Sequence, residues 1–157
     1  DRAGLRAAMG RLRFAERRDG VWLRPDNLPV DRLPADRGRA AAQCDFYSAR
    51  PDADPAALAA ELWDLDAWNR RAEQLRAEMP PLCAALEGDP TRDALAGGFT
   101  LAASVLRHFQ ADPLLPPSLW GDSSVGDALR TDFGHLDSIY RVALGAWFAA
   151  HDPRPRD

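Results

Sequence analysis

Arg107 and His108 are the neighbouring side chains in this sequence that are best suited to chemistry. They fall near the end of an apolar-periodic stretch that predicts a helix stopping at Asp112, because the proline that follows disfavours helical geometry in the residue before it. A guanidinium beside an imidazole could bind a phosphate or a carboxylate, with Trp63, Trp68 or Trp120 as an aromatic wall. The competing interpretation is structural, and capping chemistry favours it: Arg107 would bond the last helix carbonyls or Asp112.

Other kinds of catalytic or metal site find no support in the spacing of the residues. The three histidines lie on separate segments, and neither H-x-x-x-H nor H-E-x-x-H occurs. No serine lies in a G-x-S-x-G motif, and neither cysteine has a histidine beside it. The carboxylate pairs Asp64/Asp66 and Asp132/Asp137 are better explained as helix caps or surface ion pairs. We therefore expect no catalytic residue, no metal and no cofactor.

The elements that position these residues are predicted to be helices from residue 54 onward. Asp54 is suited to be an N-cap, and Pro55 follows at the first helical position, where its missing N–H costs nothing. In the W-D-L-D-A-W run, Asp66 offers a second N-cap at which the chain could restart a helix. The proline pair at 80–81 predicts a break, although the apolar stripe continues beyond it.

Two more helices are predicted in the C-terminal half. Thr91 is expected to cap the first, and Gly97-Gly98 inside it indicates a close contact with another helix, since each glycine costs about 1 kcal/mol in a helix relative to alanine. The last helix is expected over 125–150, with a frayed polar tail after it. Three prolines and four large apolar residues within 113–120 predict a packed connector between the two helices.

The N-terminal third has a mixed pattern. Apolar residues at helical spacing predict a helix over 3–14. Residues 21–24 are predicted to form a short strand, residues 28–38 a loop, and residues 40–48 a second strand. Two strands rarely stand alone. A further strand is therefore expected from residues upstream of Asp1.

Composition limits the possible functions. The 157 residues are enough for one ordinary domain or two small ones, and the 46% hydrophobic share indicates a folded chain. The basic residues are all arginine, and the net charge of −4 argues against a nucleic-acid-binding surface in this part. Cys44 and Cys83 are expected to be buried free thiols in a reducing cytosol. No apolar run approaches the roughly 20 residues of a membrane span. We expect a soluble, cytoplasmic protein.

Three segments of the chain match one known pattern in order and approximate spacing. They read G-V-W-L-R-P-D-N-L at 20–28, A-A-E-L-W-D-L-D-A-W at 59–68 and R-H-F-Q-A-D-P-L-L-P-P-S-L at 107–119. Together they resemble the PaaX family of bacterial transcriptional regulators, and the third segment is the most specific. The similarity spans essentially the whole chain. It departs from the family at 120–122, where W-G-D stands in place of the usual W-P-G.

The resemblance implies an architecture of three parts. These are an N-terminal winged helix-turn-helix that binds operator DNA, a ferredoxin-like α/β middle domain and a C-terminal helical domain. In this pattern Asp1 falls at the first helix of the middle domain, so the winged helix and the first strand would lie upstream. The expected fold class is α+β and mainly α, with an incomplete ferredoxin-like piece over 1–53 followed by a helical domain over 54–157.

The resemblance also implies a function. The best-known members repress genes for aromatic-acid breakdown and leave DNA when an aryl-CoA thioester such as phenylacetyl-CoA binds. By that implication this chain is the effector-sensing and dimerising part of a repressor, and its partners are operator DNA, an acyl-CoA-type effector and a second copy of itself. The residues expected to contact the effector are Arg107, His108, Trp63, Trp68, Arg70 and Arg71.

A second class of function stays open at this point. A stand-alone helical protein, either an enzyme or a scaffold, could share the domain without binding DNA. An enzyme would need a polar cluster in a pocket, and the sequence shows no such cluster. We therefore expect a protein that is not an enzyme.

Overall fold

The computed structural model describes residues 1–88, 90–120 and 125–151. The departure from the family pattern at 121–122 and the polar tail at the C-terminus lie outside these residues. By its contacts the chain divides into two compact units. Unit 1 contains residues 1–65 and 113–120, and unit 2 contains the described residues of 66–112 and 125–151.

Unit 1 combines three helices with one antiparallel hairpin. Its elements are α1 (Arg2–Arg11), β1 (Ala15–Arg18), β2 (Val21–Leu23), α2 (Pro34–Ala41), α3 (Pro55–Leu62) and a 3-10 turn (Pro117–Leu119). The N-cap predicted at Asp54 is confirmed, because its carboxylate accepts a hydrogen bond from the N–H of Ala57 at 2.9 Å. α3 then packs against β1 and the 3-10 turn.

The sheet is the hairpin formed by β1 and β2, which pair in antiparallel orientation. Asp19-Gly20 makes the turn, and Gly20 has φ of 78°, a left-handed conformation that glycine adopts without steric cost. The strand expected over 21–24 is confirmed, one residue shorter. Its partner is β1, which the sequence pattern did not predict.

The strand expected over 40–48 is wrong, and the loop expected over 28–38 is confirmed only over 28–33. Residues 34–41 form α2 instead, and an irregular segment follows it. Pro34 lies in the first turn of α2, where a proline is tolerated, and the alanines near the end of α2 favour a helix. Phe46 then packs against the core of unit 1 instead of pairing in a sheet.

The core of unit 1 forms where α1 packs against α2. Met9, Leu12 and Ala40 are buried at its centre. The partly buried residues around them are Leu5, Phe14, Trp22, Cys44 and Phe46. The hairpin and the irregular segment therefore both contribute to one small core.

Unit 2 is built from three long helices, α4 (Leu65–Glu87), α5 (Arg92–Gln110) and α6 (Gly126–His151). Thr91 caps α5 as predicted, because its hydroxyl accepts a backbone hydrogen bond at 3.1 Å. α5 also ends before Asp112, as the following proline requires. The predicted helix restart is confirmed at the first residue of α4, but Asp66 lies in the first turn rather than at the N-cap.

The break predicted at the proline pair is wrong, because α4 continues through Pro80 and Pro81. Each proline removes one N–H from the helical hydrogen-bond ladder. The buried residues Met79, Cys83 and Leu86 lie three or four positions apart across the pair. They form one continuous apolar stripe, and its burial offsets the lost hydrogen bonds.

The close helix contact predicted at Gly97-Gly98 is confirmed. A Cβ added to Gly98 would lie 2.5 Å from Cδ2 of Tyr140, and one added to Gly97 would lie 3.6 Å from a methyl carbon of Leu82. Real Cβ atoms essentially never approach as closely as 2.5 Å. Glycine at 98 is therefore what lets α5 pack closely against Tyr140 of α6.

The architecture is α+β and mainly α, as expected from the sequence. The domain boundary expected between residues 53 and 54 stays a prediction, and the two contact-based units divide the chain differently. No helix in the described ranges is long and apolar enough to cross a membrane.

Candidate functional site

α4 and α5 bring Trp68 and His108 into contact within unit 2. Their rings stack with centroids 4.4 Å apart and an interplanar angle of 25°. Trp68 is buried in the first turns of α4, and His108 is half-buried in the last turn of α5. Trp68 therefore lies where the sequence placed an aromatic wall beside His108.

The surroundings of His108 favour its neutral form. Burial lowers the pKa of His108 below its ordinary value near 6.5, and the positive charge of Arg71 lowers it further. The charge of Asp112 and a backbone hydrogen bond with Trp68 act in the opposite direction. The ring Nε2 is buried and has no hydrogen-bond partner among the described residues. His108 thus presents a neutral imidazole with one uncommitted nitrogen at pH 7.

The arginines expected at the site lie on the surface of unit 2. Arg71 is exposed and lies 3.9 Å from the carboxylate of Glu78. Arg70 and Arg107 are exposed, and neither forms a hydrogen bond or an ion pair in the part of the chain that the structure describes. Trp63 belongs to unit 1, so unit 2 contains five of the six expected residues.

The structural bond expected between Arg107 and Asp112 is wrong. Arg130 of α6 takes that place and forms an ion pair with Asp112, whose side chain is 4% exposed. The guanidinium carbon of Arg130 also lies 5.4 Å from the ring centroid of Phe109. Asp112 is therefore bound from α6, and Arg107 stays exposed in the last turn of α5.

The paired carboxylates of α6 form ion pairs, as the sequence predicted. Asp132 contacts Arg76 at 2.6 Å, and Asp137 contacts Arg141 at 2.9 Å. Among the described residues, no group of three or more histidine, cysteine, aspartate or glutamate side chains is placed to hold a metal ion.

A second candidate site, which the sequence pattern does not predict, lies in unit 1. Arg24, Arg32 and Arg37 line one small cleft together with Phe14 and Leu28. Its interior measures about 10 Å³, which is room for one water molecule or one ligand oxygen. Two of the arginines fall in the stretch predicted as a loop. The signal that could have placed Arg37 is Pro34 at the first helical position with an acidic residue, Asp36, in the first turn, which together indicate the start of α2.

Comparison with known proteins gives one informative likeness. The chain is similar to a solved structure, the uncharacterized protein Rv0674 from Mycobacterium tuberculosis, at 35% sequence identity and a TM-score of 0.71. The likeness covers 92% of this chain and 56% of that one, so the chain spans about half the length of the mycobacterial protein. No protein-family model matches the chain, and no curated protein matches it. The likeness supports the mainly helical α+β fold.

Proposed function

We propose that this chain is the effector-sensing and dimerising part of a bacterial transcriptional repressor of the PaaX type. Its effector is an aryl- or acyl-CoA thioester. Operator DNA is bound by a winged helix upstream of the chain, the protein acts in the cytoplasm, and it does not turn its ligand over.

The observation that carries this proposal is that the R-H-F-Q-A-D-P segment has one charged side chain used inside the fold and another exposed to solvent. Asp112 is buried and bound by Arg130, whereas Arg107 is exposed and uncommitted. His108, which directly follows Arg107, stacks on Trp68. A CoA thioester carries phosphates that need cationic groups and an acyl group that needs an aromatic or apolar surface. Arg107 supplies the first, and the edge of the stacked pair supplies the second.

The effector would act by shifting a population of conformations. It must bind the DNA-incompetent state more tightly than the DNA-binding state, because a ligand with equal affinity for both changes nothing. A tenfold to hundredfold loss of operator affinity needs about 1.4 to 2.8 kcal/mol of differential binding. One or two hydrogen bonds to a charged phosphate, made in only one state, are sufficient.

Exposed apolar side chains support the homodimer in this proposal. Phe99 and Leu106 are exposed two helical turns apart, so they lie on one face of α5. Val142 and Phe148 are exposed on α6. Exposed apolar side chains that form a contiguous patch mark an association surface. Leu106→Ser should move the protein toward monomer in sedimentation velocity, and an unchanged sedimentation coefficient would exclude this face of α5.

The effector is tested by calorimetric titration of the chain with phenylacetyl-CoA and with free CoA. We expect the thioester to bind more tightly than free CoA. Arg107→Gln should weaken thioester binding about tenfold, which corresponds to one charge-assisted hydrogen bond. Arg92→Gln is the matched control, because Arg92 is exposed in the first turn of the same helix and its replacement removes the same charge.

Equal thioester affinity in the Arg107→Gln and Arg92→Gln variants would show that Arg107 does not contribute to effector binding. No thioester binding at all would remove the effector from the proposal. The DNA-binding part is tested separately, by reading the coding sequence upstream of Asp1. A winged helix there supports the repressor, and a native start within a few residues of Asp1 excludes direct repression.

A further inference from the structure

Five arginines of unit 1 form ion pairs with carboxylates, but none of these five lines the cleft. The pairs are Arg2 with Asp19, Arg6 with Glu16, Arg11 with Asp36, Arg17 with Glu61 and Arg39 with Asp36. The three arginines that do line the cleft form no ion pair with any carboxylate in the described ranges; they are Arg24, Arg32 and Arg37. Among the described residues, the cleft arginines of unit 1 are therefore not in an ion pair.

Two of the cleft arginines are held by aromatic rings. The guanidinium carbon of Arg37 lies 3.4 Å from the ring centroid of Phe46, and that of Arg24 lies 5.2 Å from the ring centroid of Phe14. Stacking fixes the plane of a guanidinium and leaves its in-plane N–H groups for another partner. One Arg24 nitrogen donates a long hydrogen bond of 3.5 Å to the carbonyl of Leu28.

Arg32 is the cleft arginine with an evident unmet donor. Its Nη1 is buried and makes no hydrogen bond among the residues that the structure describes. A buried charged donor without an acceptor is costly, and native proteins rarely keep one unless another molecule completes it. An acceptor from a bound molecule would complete it, and Arg32 is one of the residues that line the cleft.

The three charges also act on one another. Burial lowers the pKa of Arg24 below its ordinary value, and the charges of Arg37 and Arg32 lower it further, while Asp26 opposes this effect. Arginine side chains carry a positive charge at physiological pH. An anion in the cleft would relieve their mutual repulsion and accept the free N–H groups at the same time.

We propose that Arg24, Arg32 and Arg37 form a binding site for the phosphate group of a small-molecule ligand. Guanidiniums bind phosphate oxygens through paired, directional hydrogen bonds. The interior of about 10 Å³ admits one oxygen. The rest of the ligand stays at the mouth of the cleft, beside Leu28 and the exposed Val30. The site lies in unit 1 and does not depend on the function proposed above.

The site is tested by NMR titration of the chain at constant ionic strength, following the arginine Nε–H signals. The probes are inorganic phosphate and phenyl phosphate, with chloride as the reference anion. We expect the signals of the three cleft arginines to shift and to saturate with both phosphates. Tighter binding of phenyl phosphate identifies an organic phosphomonoester as the ligand, and equal binding identifies phosphate itself. Either result supports the site.

Arg32→Gln should weaken phosphate binding at least about tenfold, because it removes a charge-assisted donor. Arg18→Gln is the matched control, since Arg18 is exposed on β1, outside the cleft. In phosphate-free buffer the Arg32→Gln variant should melt at or above the wild-type temperature, because it removes repulsion and an unmet donor. If Arg32→Gln does not fold, Arg37→Lys keeps the charge and removes the planar guanidinium, and it should weaken phosphate binding to a similar extent.

Three results would overturn the proposal. The first is a titration in which the cleft arginine signals do not move. The second is equal phosphate affinity in the Arg32→Gln and Arg18→Gln variants. The third is a lower melting temperature for Arg32→Gln without phosphate, which would make its guanidinium a structural group. The proposal would also be overturned if a DNA fragment bound while inorganic phosphate and phenyl phosphate left the cleft arginine signals unchanged.

Discussion

Both units place a guanidinium over a phenylalanine ring, yet the two arginines differ in what neutralises their charge. In unit 2, Arg130 lies over Phe109 and also forms an ion pair with the buried Asp112. In unit 1, Arg37 lies over Phe46 and forms no ion pair with a carboxylate in the described chain. Aromatic stacking thus does not separate a structural arginine from one that can bind a ligand. What differs between the two arginines is the internal carboxylate, which Arg130 has in Asp112.

The largest expected effect follows from breaking the ion pair in unit 2. Arg130→Met leaves the carboxylate of Asp112 without its guanidinium, and the free energy of unfolding should fall by about 2 to 4 kcal/mol, somewhat less than for a fully buried pair because Arg130 is partly exposed. Arg141→Met is the control, because its pair with Asp137 is on the surface and should contribute about 0.5 kcal/mol or less. Urea unfolding measures both, and similar small losses would mean that Asp112 is not held by Arg130.

A smaller effect is expected from the contact between α5 and α6. Gly98→Ala brings a Cβ to 2.5 Å from the ring of Tyr140, and overpacking of this kind costs about 1 to 3 kcal/mol. Gly134→Ala on α6 is the matched control, because nothing lies within 4 Å of its added Cβ. It should raise the free energy of unfolding by about 0.5 to 1 kcal/mol, since alanine favours the helix.

A loss in both glycine variants would mean that the α5–α6 contact is not what requires Gly98. A gain in both would mean that the ring of Tyr140 moves aside without cost. Only opposite signs show that unit 2 is stabilised by tight packing as well as by its ion pairs. Thermal unfolding followed by circular dichroism distinguishes the three outcomes.

The parts of the fold that the sequence predicted are those fixed by local chemistry. Asp54 and Thr91 cap helices because a side-chain oxygen can satisfy a free N–H within three residues, and this is visible in a short window. The end of α5 near Asp112 follows from one proline. The proline pair of α4 was misjudged because its buried stripe outweighs two lost hydrogen bonds, and that balance depends on packing against other residues.

The wrong secondary-structure predictions for unit 1 also limited which site could be predicted from the sequence. Alternating Cys44 and Phe46 indicated a strand, whereas burial of Phe46 in the small core decides its actual place. The Asp-Gly turn at 19–20 was a usable hairpin signal, but β1 has no apolar alternation. Once α2 was predicted as loop, nothing in the pattern could bring Arg37 to the same cleft as Arg24. Trp68 and His108 were easier, because each lies in a stretch whose helical structure was predicted correctly.

The smallest expected effect concerns His108, and it compares two adjacent arginines. Arg71 lowers the pKa of His108, whereas Arg70 is not among the causes of that shift. Arg71→Gln should therefore raise the pKa of His108 toward 6.5, and Arg70→Gln should leave it unchanged. An NMR titration of the imidazole signals measures both. A pKa of His108 at or above 6.5 in the unmodified protein would contradict the effect of burial.

The same shift makes the stability of the fold depend on pH in a defined direction. Because the pKa of His108 is lower in the folded chain than in the unfolded chain, the unfolded chain binds the proton first as the pH falls through 6.5. Protonation therefore favours unfolding, and the contribution of His108 to stability decreases from pH 7.5 to pH 5. His108→Phe keeps a ring against Trp68 but cannot be protonated. Relative to wild type, this variant should gain stability as the pH falls, since every other side chain is common to both proteins. A stability difference that does not change with pH would show that His108 is protonated to the same extent in the folded and unfolded chains.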